Sequence, residues 1–225
     1  MWPKASACNE IDLAELLTFM PEKQRIAIVS IEWDVVDLIE SLNRFDIVGF
    51  FDPNRNRSEG DFRCLGPDEA WESVKRDEPL LKVALVIDQP TARARLFNHY
   101  GSNAVVTLQS PHAHVASRTQ IGHGSILQRG VSLLPNARIG VACKLNVNVF
   151  VDHDCRIADF TTLAPGSMAL GGVTIEEGVY IGAGAIIRQG HRVGAGATVG
   201  AGAVVVKDVP PHAVVVGVPA SRRLR

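Results

Sequence analysis

The chain lacks a dominant charge of either sign: its 225 residues include 23 lysines and arginines and 24 aspartates and glutamates, for a net charge of -1. Proteins that bind nucleic acid carry a basic patch or stripe, so we expect no nucleic-acid partner. No apolar run approaches the length of a membrane-spanning helix. The first residues carry acids and no long apolar run, which argues against a secretory signal. We therefore expect no membrane association and a cytoplasmic location.

Cysteine is also scarce, and its four copies form neither a CxxC pair nor the spacing of a metal site. Two of them, Cys143 and Cys155, fall at a regularly repeated position that other small residues share. We predict that both are buried and act as small apolar side chains.

What the chain does contain is a repeat of six residues. From residue 121 to residue 210 an aliphatic side chain opens each of fifteen hexads. Neither an α-helix, with a period near 3.6, nor a single strand, with a period of 2, produces this spacing. A repeat of this kind predicts a chain that coils in short, equal segments. The openers are Ile121, Leu127, Leu133, Ile139, Leu145, Val151, Ile157, Leu163, Ala169, Ile175, Ile181, Ile187, Val193, Val199 and Val205.

Two further positions of the hexad predict strands joined by tight corners. Four residues after each opener stands a small or β-branched residue, except for His191, which we expect to pack inside like the others. Three residues after the opener stands Gly, Asn or Asp, except at Ala142 and Phe160. Gly, Asn and Asp adopt positive φ most readily. Each hexad is therefore predicted to be a short strand followed by a left-handed corner.

This pattern resembles the left-handed parallel β-helix of the hexapeptide-repeat acyltransferases. The resemblance covers about residues 110 to 221, and it implies three hexads per coil and about five coils. A left-handed winding departs from the usual right-handed crossover of parallel strands, and the residues at the corners help to allow it.

Upstream of the repeat, apolar runs alternate with segments of helical spacing. The sequence predicts strands at 25–30, 45–52, 82–88 and 103–108 and helices at 33–42, 67–75 and 90–100. Such alternation is typical of a small parallel sheet covered by helices. The predicted fold class is therefore α/β followed by all-β. The predicted parts are a lead-in over 1–24 with a helix near 11–20, a Rossmann-like domain over 25–108, and a β-helix over 109–225.

An α/β domain followed directly by this repeat resembles the bacterial sugar acyltransferases of the PglD/NeuD-like family. The resemblance implies transfer of an acetyl group from acetyl-CoA to an amino sugar, or sometimes to a hydroxyl. It also implies that the α/β domain holds the nucleotide of the sugar. A homotrimer is expected, with acetyl-CoA in the groove between neighbouring β-helices.

The strongest candidate for catalysis is the segment that contains His153 and Asp154. His153 stands two residues after its opener, so it lies at a corner and points away from the interior. A histidine can accept a proton at neutral pH, and an adjacent carboxylate can orient the ring and stabilise the imidazolium. The resemblance assigns such a pair the roles of general base and activating carboxylate. From spacing alone, a solvated surface histidine between two acids remains an alternative.

Further candidates come from the chemistry of acyl transfer and from the resemblance. Acyl transfer needs a donor for the developing oxyanion, and the backbone N–H of Gly171, one coil after His153, is the expected donor. The resemblance implies that Gly171 touches the thioester region of acetyl-CoA and that Ala183 and Ala201 line the pantetheine path. Thr162 stands where many relatives have a second histidine that contacts the coenzyme. Gly171, Ala183 and Ala201 can instead be corner residues that serve only the winding of the chain, whereas the Thr162 hydroxyl can donate a hydrogen bond but cannot act as a second base.

The sequence departs from the family at the turn after the first strand. Relatives have a glycine-rich loop there that can approach a nucleotide, whereas this chain has Ser30, Ile31, Glu32 and Trp33. The bulky side chains and the acid Glu32 would oppose a phosphate. Ser30 and Asp52, at the ends of the first two strands, remain the candidates for substrate binding, and the nucleotide site is expected to be altered or lost.

The sequence thus predicts an acetyl-CoA-dependent acyltransferase that acts on an amino group of a nucleotide-linked sugar. A zinc site of the hexapeptide-repeat carbonic anhydrase type is not expected, because Ala158 stands where a second zinc histidine would be needed. The alternatives are acylation of a sugar hydroxyl, transfer of a longer acyl group, and a non-catalytic trimeric scaffold or binding protein.

Overall fold

A computed structural model describes residues 22–54 and 58–222. The helix expected near residues 11–20 and the terminal residues Arg223 and Arg225 lie outside these ranges.

The N-terminal part of the described chain is a four-stranded parallel sheet with helices, which we call the α/β unit. Its strands are β1 (Gln24–Val29), β2 (Phe45–Phe51), β3 (Cys64–Gly66) and β4 (Lys82–Leu85). Its helices are α1 (Trp33–Ser41), α2 (Trp71–Asp77), which follows a 3-10 turn at Asp68–Ala70, and α3 (Pro90–Tyr100). The strand order is β3-β2-β1-β4. β1 lies between its two partners and its last four residues are buried.

One predicted strand of this sheet is wrong. The segment 103–108 contributes only a bridge between Val83 and Val105, and Leu108 already belongs to the repeat. The fourth strand is β3, which pairs with β2 at the opposite edge. Three residues are too few to show a periodic pattern, so the sequence does not reveal this strand.

The repeat forms a parallel β-helix, as the sequence predicts. Arg138 pairs with Gln120 on one side and with Arg156 on the other, so strands stack at intervals of 18 residues, or three hexads. The strands are β5 (Leu108–Gln109), β6 (His114–Val115), β7 (Gln120–Ile121), β8 (Ile126–Leu127), β9 (Ser132–Leu133), β10 (Arg138–Ile139), β11 (Lys144–Leu145), β12 (Phe150–Val151), β13 (Arg156–Ile157), β14 (Thr162–Leu163), β15 (Met168–Ala169), β16 (Thr174–Ile175), β17 (Tyr180–Ile181), β18 (Ile186–Ile187), β19 (Arg192–Val193), β20 (Thr198–Val199), β21 (Val204–Val205), β22 (Val214–Val216) and β23 (Ser221–Arg222). The winding begins at β5, two strands before the first hexad of the count.

The interior of the β-helix contains the side chains that the repeat selects. Every opener from Leu127 to Val205 is at most 3% exposed. Cys143 and Cys155 are buried as predicted, and burial raises the pKa of their thiols to about 12 and about 11. The prediction for His191 is wrong: its side chain is 23% exposed and its Nδ1 lies 3.2 Å from the Asp208 carboxylate. An imidazole is larger than the small residues that fill the other slots.

The corners adopt the predicted left-handed conformation. Positive φ occurs at every predicted corner residue except Asp208, and it occurs even at Ala142 (47°) and Phe160 (57°). The predicted fold, a small parallel sheet followed by a left-handed β-helix, is therefore confirmed.

The three faces of the β-helix differ in chemistry. The first residue of each strand points outward, and on the six-stranded sheet this gives an apolar face: Phe150, Met168, Ile186 and Val204. The five-stranded sheet gives a charged face, which includes Arg138, Arg156 and Arg192. The eight-stranded sheet gives a docked face, where Lys144 and Thr162 are fully buried against the α/β unit.

Candidate active site

His153 and Asp154 form a pair at a corner of the β-helix between the apolar and charged faces. We call this corner, with residues 135–136, 153–154 and 171–172, the histidine edge. The His153 Nδ1 lies 2.9 Å from the Asp154 Oδ2, and both side chains are more than half exposed. Asp154 is held in turn by the Asn136 amide, which donates to its Oδ1 at 2.9 Å. Because an ionised carboxylate only accepts hydrogen bonds, Nδ1 carries the proton and Nε2 is left with a free lone pair.

The free nitrogen of His153 faces the next coil at Gly171. A Cβ atom built on Gly171 would lie 2.8 Å from the His153 Nε2, which is closer than real Cβ contacts allow. Glycine at this position therefore leaves room for the ring. It also leaves the backbone of residue 171 beside the only part of the imidazole that can accept a proton.

The electrostatics of the pair fit a proton acceptor. The hydrogen bond to Asp154, followed by the charge of Asp152, raises the pKa of His153 above its ordinary value. The bond from His153, followed by that from Asn136, lowers the pKa of Asp154. The pair therefore favours an ionised carboxylate and an imidazole that binds a proton more readily than a free histidine does.

Ala183 and Ala201 lie on a different edge of the prism. They stack one coil apart, with the Gly202 N–H donating to the Ala183 carbonyl at 2.8 Å, and both are exposed. This corner, which we call the alanine edge, separates the docked face from the apolar face. The apolar face therefore lies between the alanine edge and the histidine edge, and within one chain it keeps His153 apart from the two alanines.

Thr162 is placed differently from the other coenzyme candidates. It is fully buried on the docked face, where its hydroxyl donates to the Asp88 carbonyl at 2.6 Å and accepts from the Arg93 guanidinium at 2.8 Å. The hydroxyl is thus occupied by the contact between the α/β unit and the β-helix. Gly171, Ala183 and Ala201 remain as the candidates for the coenzyme site.

Ser30 and Asp52 lie side by side at the carboxyl ends of β1 and β2. The Ser30 N–H donates to the Phe51 carbonyl at 2.8 Å, and Ser30 has a positive φ of 64°. Asp52 is 7% exposed, and its Oδ1 accepts from the Asn54 N–H at 2.8 Å. In open α/β sheets, ligands bind outside the carboxyl ends of the strands, which is where both residues are found.

A buried lysine at this end of the sheet was not predicted from the sequence. Lys144 is fully buried, and its Nζ contacts Glu32, lies 3.0 Å from the Asp88 carboxylate and donates to the Val86 carbonyl at 2.5 Å. Glu32 and Asp88 follow β1 and β4, between which the strand order reverses. Burial raises the pKa of Glu32, and the charge of Lys144 opposes this effect. The sequence shows only that Lys144 occupies an outward position of the repeat. It does not show that the α/β unit packs against this face.

In the parts of the chain that the structure describes, no group of three or more His, Cys, Asp or Glu side chains is arranged to hold a metal ion. Within the same residues, none of the helices combines the length and the apolar character needed to cross a membrane.

Comparisons with known proteins point to acyl transfer to sugars. No family model matches the chain. Over 78 residues, 35% of the chain, it is 42% identical to a GDP-perosamine N-acetyltransferase from Escherichia coli O157:H7. Over 118 residues, 52% of the chain, it is 30% identical to an acyl-[acyl-carrier-protein]–UDP-N-acetylglucosamine O-acyltransferase from Aliivibrio salmonicida. The matches span 35% and 43% of these proteins, less than half of the length of either curated relative.

Solved structures match over a larger part of the chain. The acetyltransferase domain of PglB from Neisseria gonorrhoeae, in complex with acetyl coenzyme A, has a TM-score of 0.82 and 26% identity and covers 89% of this chain and 100% of its own. A histidine variant of perosamine N-acetyltransferase from Caulobacter crescentus, in complex with CoA and GDP-perosamine, has a TM-score of 0.81 and 26% identity. The match covers 89% of this chain and 97% of that enzyme's chain.

The fold and these relatives define the class of protein that the chain resembles, the hexapeptide-repeat sugar acyltransferases. Within that class its relatives are of the PglD/NeuD-like type, which have an α/β unit before the β-helix. The resemblance predicted from the sequence is thereby confirmed.

Proposed function

We propose that this protein transfers an acetyl group from acetyl-CoA to the amino group of a nucleotide-linked amino sugar. The observation that carries the proposal is the exposed His153–Asp154 pair, with the free Nε2 facing the backbone of Gly171. Both the curated N-acetyltransferase and the solved structures with bound CoA support it. We further propose that residues 25–108 hold part of the acceptor, that residues 109–225 carry the transfer, and that the protein works in the cytoplasm.

The residues of the pair can perform each proton transfer that the reaction needs. His153 Nε2 accepts a proton from the amine as its nitrogen attacks the thioester carbon, and the N–H of Gly171 donates to the oxyanion that forms. When the C–N bond is complete, the C–S bond breaks and its electron pair leaves with the sulfur. The imidazolium then returns its proton to the thiolate, while Asp154 stabilises the charged ring throughout.

We propose that the coenzyme lies between two copies of the chain, in a homotrimer. His153 and the two alanines flank opposite sides of the apolar face, so one chain cannot bring them to one ligand. If three apolar faces surround a common axis, the histidine edge of each copy lies beside the alanine edge of the next. Heterologous contacts of this kind close into a ring, and burial of Met168, which is 39% exposed, would contribute to its stability.

Replacing the base tests the proposed mechanism. We expect His153→Ala to lower kcat by at least about 100-fold, since general base catalysis contributes about 10²- to 10⁴-fold. Acetyl-CoA binding measured by calorimetry should change little. His112→Ala, which removes another exposed histidine of the same β-helix, is the matched control and should retain the wild-type rate. A His153→Ala enzyme with near-normal kcat would rule out this base, and a native protein that binds no acetyl-CoA would favour the scaffold.

Acylation of a hydroxyl is the second candidate, and the similarity to an O-acyltransferase favours it. The same base can remove a proton from either nucleophile. Mass spectrometry of the product separates the two, because mild alkali hydrolyses an ester and leaves an amide intact. The same measurement gives the length of the transferred acyl chain.

A further inference from the structure

Three arginines gather along the histidine edge and the adjoining charged face. Arg138 and Arg156 occupy directly paired positions on neighbouring strands, and Arg118 lies two residues before Gln120, which pairs with Arg138. We call Arg118, Arg138 and Arg156 the arginine cluster. All three are exposed, and together with Gln120, Asn136 and Asp154 they line a polar cavity of about 360 Å³.

The charge of this cluster is not neutralised within the described chain. Like charges at directly opposed sheet positions repel each other. No carboxylate of residues 22–54 or 58–222 lies within 4.0 Å of the three guanidinium groups, and these groups donate to no acceptor there. Arg192, at the equivalent position two coils after Arg156, is paired with Glu176 instead. An anion bound in the cavity would relieve the repulsion and satisfy the donors.

The cavity is continuous with the catalytic pair. Asn136 and Asp154, which hold the His153 ring, also form part of its wall. Arg156 follows Asp154 by two residues, and Arg138 follows Asn136 by two residues. Adjacent coils are about 4.8 Å apart. Arg156 lies in the same coil as His153, and Arg138 and Arg118 lie in the coils before it. Ala183 and Ala201 lie in the coils after it, so the cavity opens on the side of His153 away from the candidate coenzyme residues.

The usual phosphate-binding turn is altered in this chain. The segment after β1 places Ile31 in the interior and turns Glu32 toward Lys144, with no glycine to admit a phosphate. A guanidinium group matches phosphate geometry with two parallel hydrogen bonds, and the cluster presents three such groups within one cavity.

We propose that the arginine cluster binds a phosphoryl group of the acceptor, so that the β-helix holds the diphosphate of the sugar nucleotide beside the catalytic base. This inference rests on the proposed function. It assigns to the charged face a role that the α/β unit would otherwise perform, and it predicts that the acceptor is anionic.

The test uses the full chain, GDP-perosamine as the probe acceptor and inorganic pyrophosphate as a probe of the cavity alone. The variants are Arg138→Gln and Arg156→Gln, and the matched control is Arg192→Gln, which lies on the same face with its own partner. We expect each cluster variant to raise the KM for GDP-perosamine roughly tenfold or more, as the loss of a charge-assisted hydrogen bond does. The KM for acetyl-CoA, the kcat and the Arg192→Gln parameters should stay within about twofold.

Calorimetry with pyrophosphate separates this proposal from the activity itself. With the protein saturated with CoA, pyrophosphate should bind the native chain and Arg192→Gln, and each cluster variant should bind it roughly tenfold more weakly. Such binding would support the arginine cluster even if GDP-perosamine is not acetylated. A lack of acetylation would count against the proposed function and not against the cluster. No pyrophosphate binding to the native chain, or a KM change confined to acetyl-CoA, would overturn the proposal and in the second case assign the arginines to the coenzyme.

Discussion

At the scale of single residues, Asp154 decides which nitrogen of His153 is free to react. It accepts from Nδ1 and is itself held by Asn136, so rotation of the ring would break its hydrogen bond to a carboxylate that is fixed in place. Glycine is required at position 171, because the Cβ atom of any other residue would lie too close to the free Nε2 of His153. Orientation and access are therefore set by residues on three successive coils.

Asp154→Asn should move the pH dependence of the reaction. The base acts when the imidazole is neutral, and the carboxylate raises the pKa of His153. Removing the negative charge lowers that pKa, so the acid limb of kcat/KM should shift to lower pH while the maximal rate falls, since the ring loses its orienting partner. Asp208→Asn, which breaks the similar pair with His191 on the same edge, should leave the acid limb of kcat/KM unchanged. An unchanged limb in Asp154→Asn would mean that His153 is not the group that titrates.

At the scale of elements, α3 fastens the α/β unit to the β-helix through one buried arginine. Arg93 is 1% exposed and donates to the carbonyls of Ala142 and Phe160 at 2.7 and 2.9 Å. These are the two corners without Gly, Asn or Asp, and Phe97 of the same helix packs against the Phe160 ring at 5.8 Å. Contacts from α3 thus offset the cost of a left-handed corner at two residues that would otherwise disfavour it.

Arg93→Ala should destabilise the protein by about 3 kcal/mol or more, because several buried carbonyls lose their donor and each such loss costs roughly 1–3 kcal/mol. Burial lowers the pKa of Arg93 to about 10, so the guanidinium is still charged at neutral pH. Urea denaturation at a fixed protein concentration measures the change. Arg95→Ala, on the exposed side of the same helix, should cost less than about 1 kcal/mol. Equal losses in the two variants would show that Arg93 does not fasten the units.

At the scale of the whole molecule, the apolar face separates two halves of one proposed site. A single chain carries His153 on one edge and the two exposed alanines on the other, so the proposed groove requires a second copy. In the proposed trimer the oligomer would take part in the chemistry, and this can be tested by mixing variants.

Two inactive variants with defects on opposite edges should restore activity when they are mixed. His153→Ala removes the base, and Ala201→Trp fills the alanine edge, so each homotrimer should be nearly inactive. Each groove joins the histidine edge of one copy to the alanine edge of the next. When the two variants assemble at random, each of these edges is intact in about half of the cases, so about a quarter of the grooves in a co-expressed mixture have both edges intact. His153→Ala mixed with Asp154→Ala is the control, because both defects lie on the same edge and no groove is complete. Absence of rescue in the first mixture would contradict a site between copies.

The sequence alone determined the β-helix, its corners and the outward position of His153. Period, burial and positive φ are properties of each hexad, and neighbouring coils repeat them, so local chemistry is sufficient to specify the winding. The sequence could also place Asp154 next to His153, because adjacent residues need no tertiary information.

Only the tertiary structure decided which distant residues meet. The burial of Thr162 and Lys144 and the docking of Arg93 on two exceptional corners depend on contacts between segments far apart in the chain. The turn of His191 toward Asp208 depends on a contact with the next coil. The separation of the histidine and alanine edges depends on the order of the three faces. A six-residue repeat fixes which side chains point outward, but what they contact is set by the packing of whole units, and packing leaves no period in the sequence.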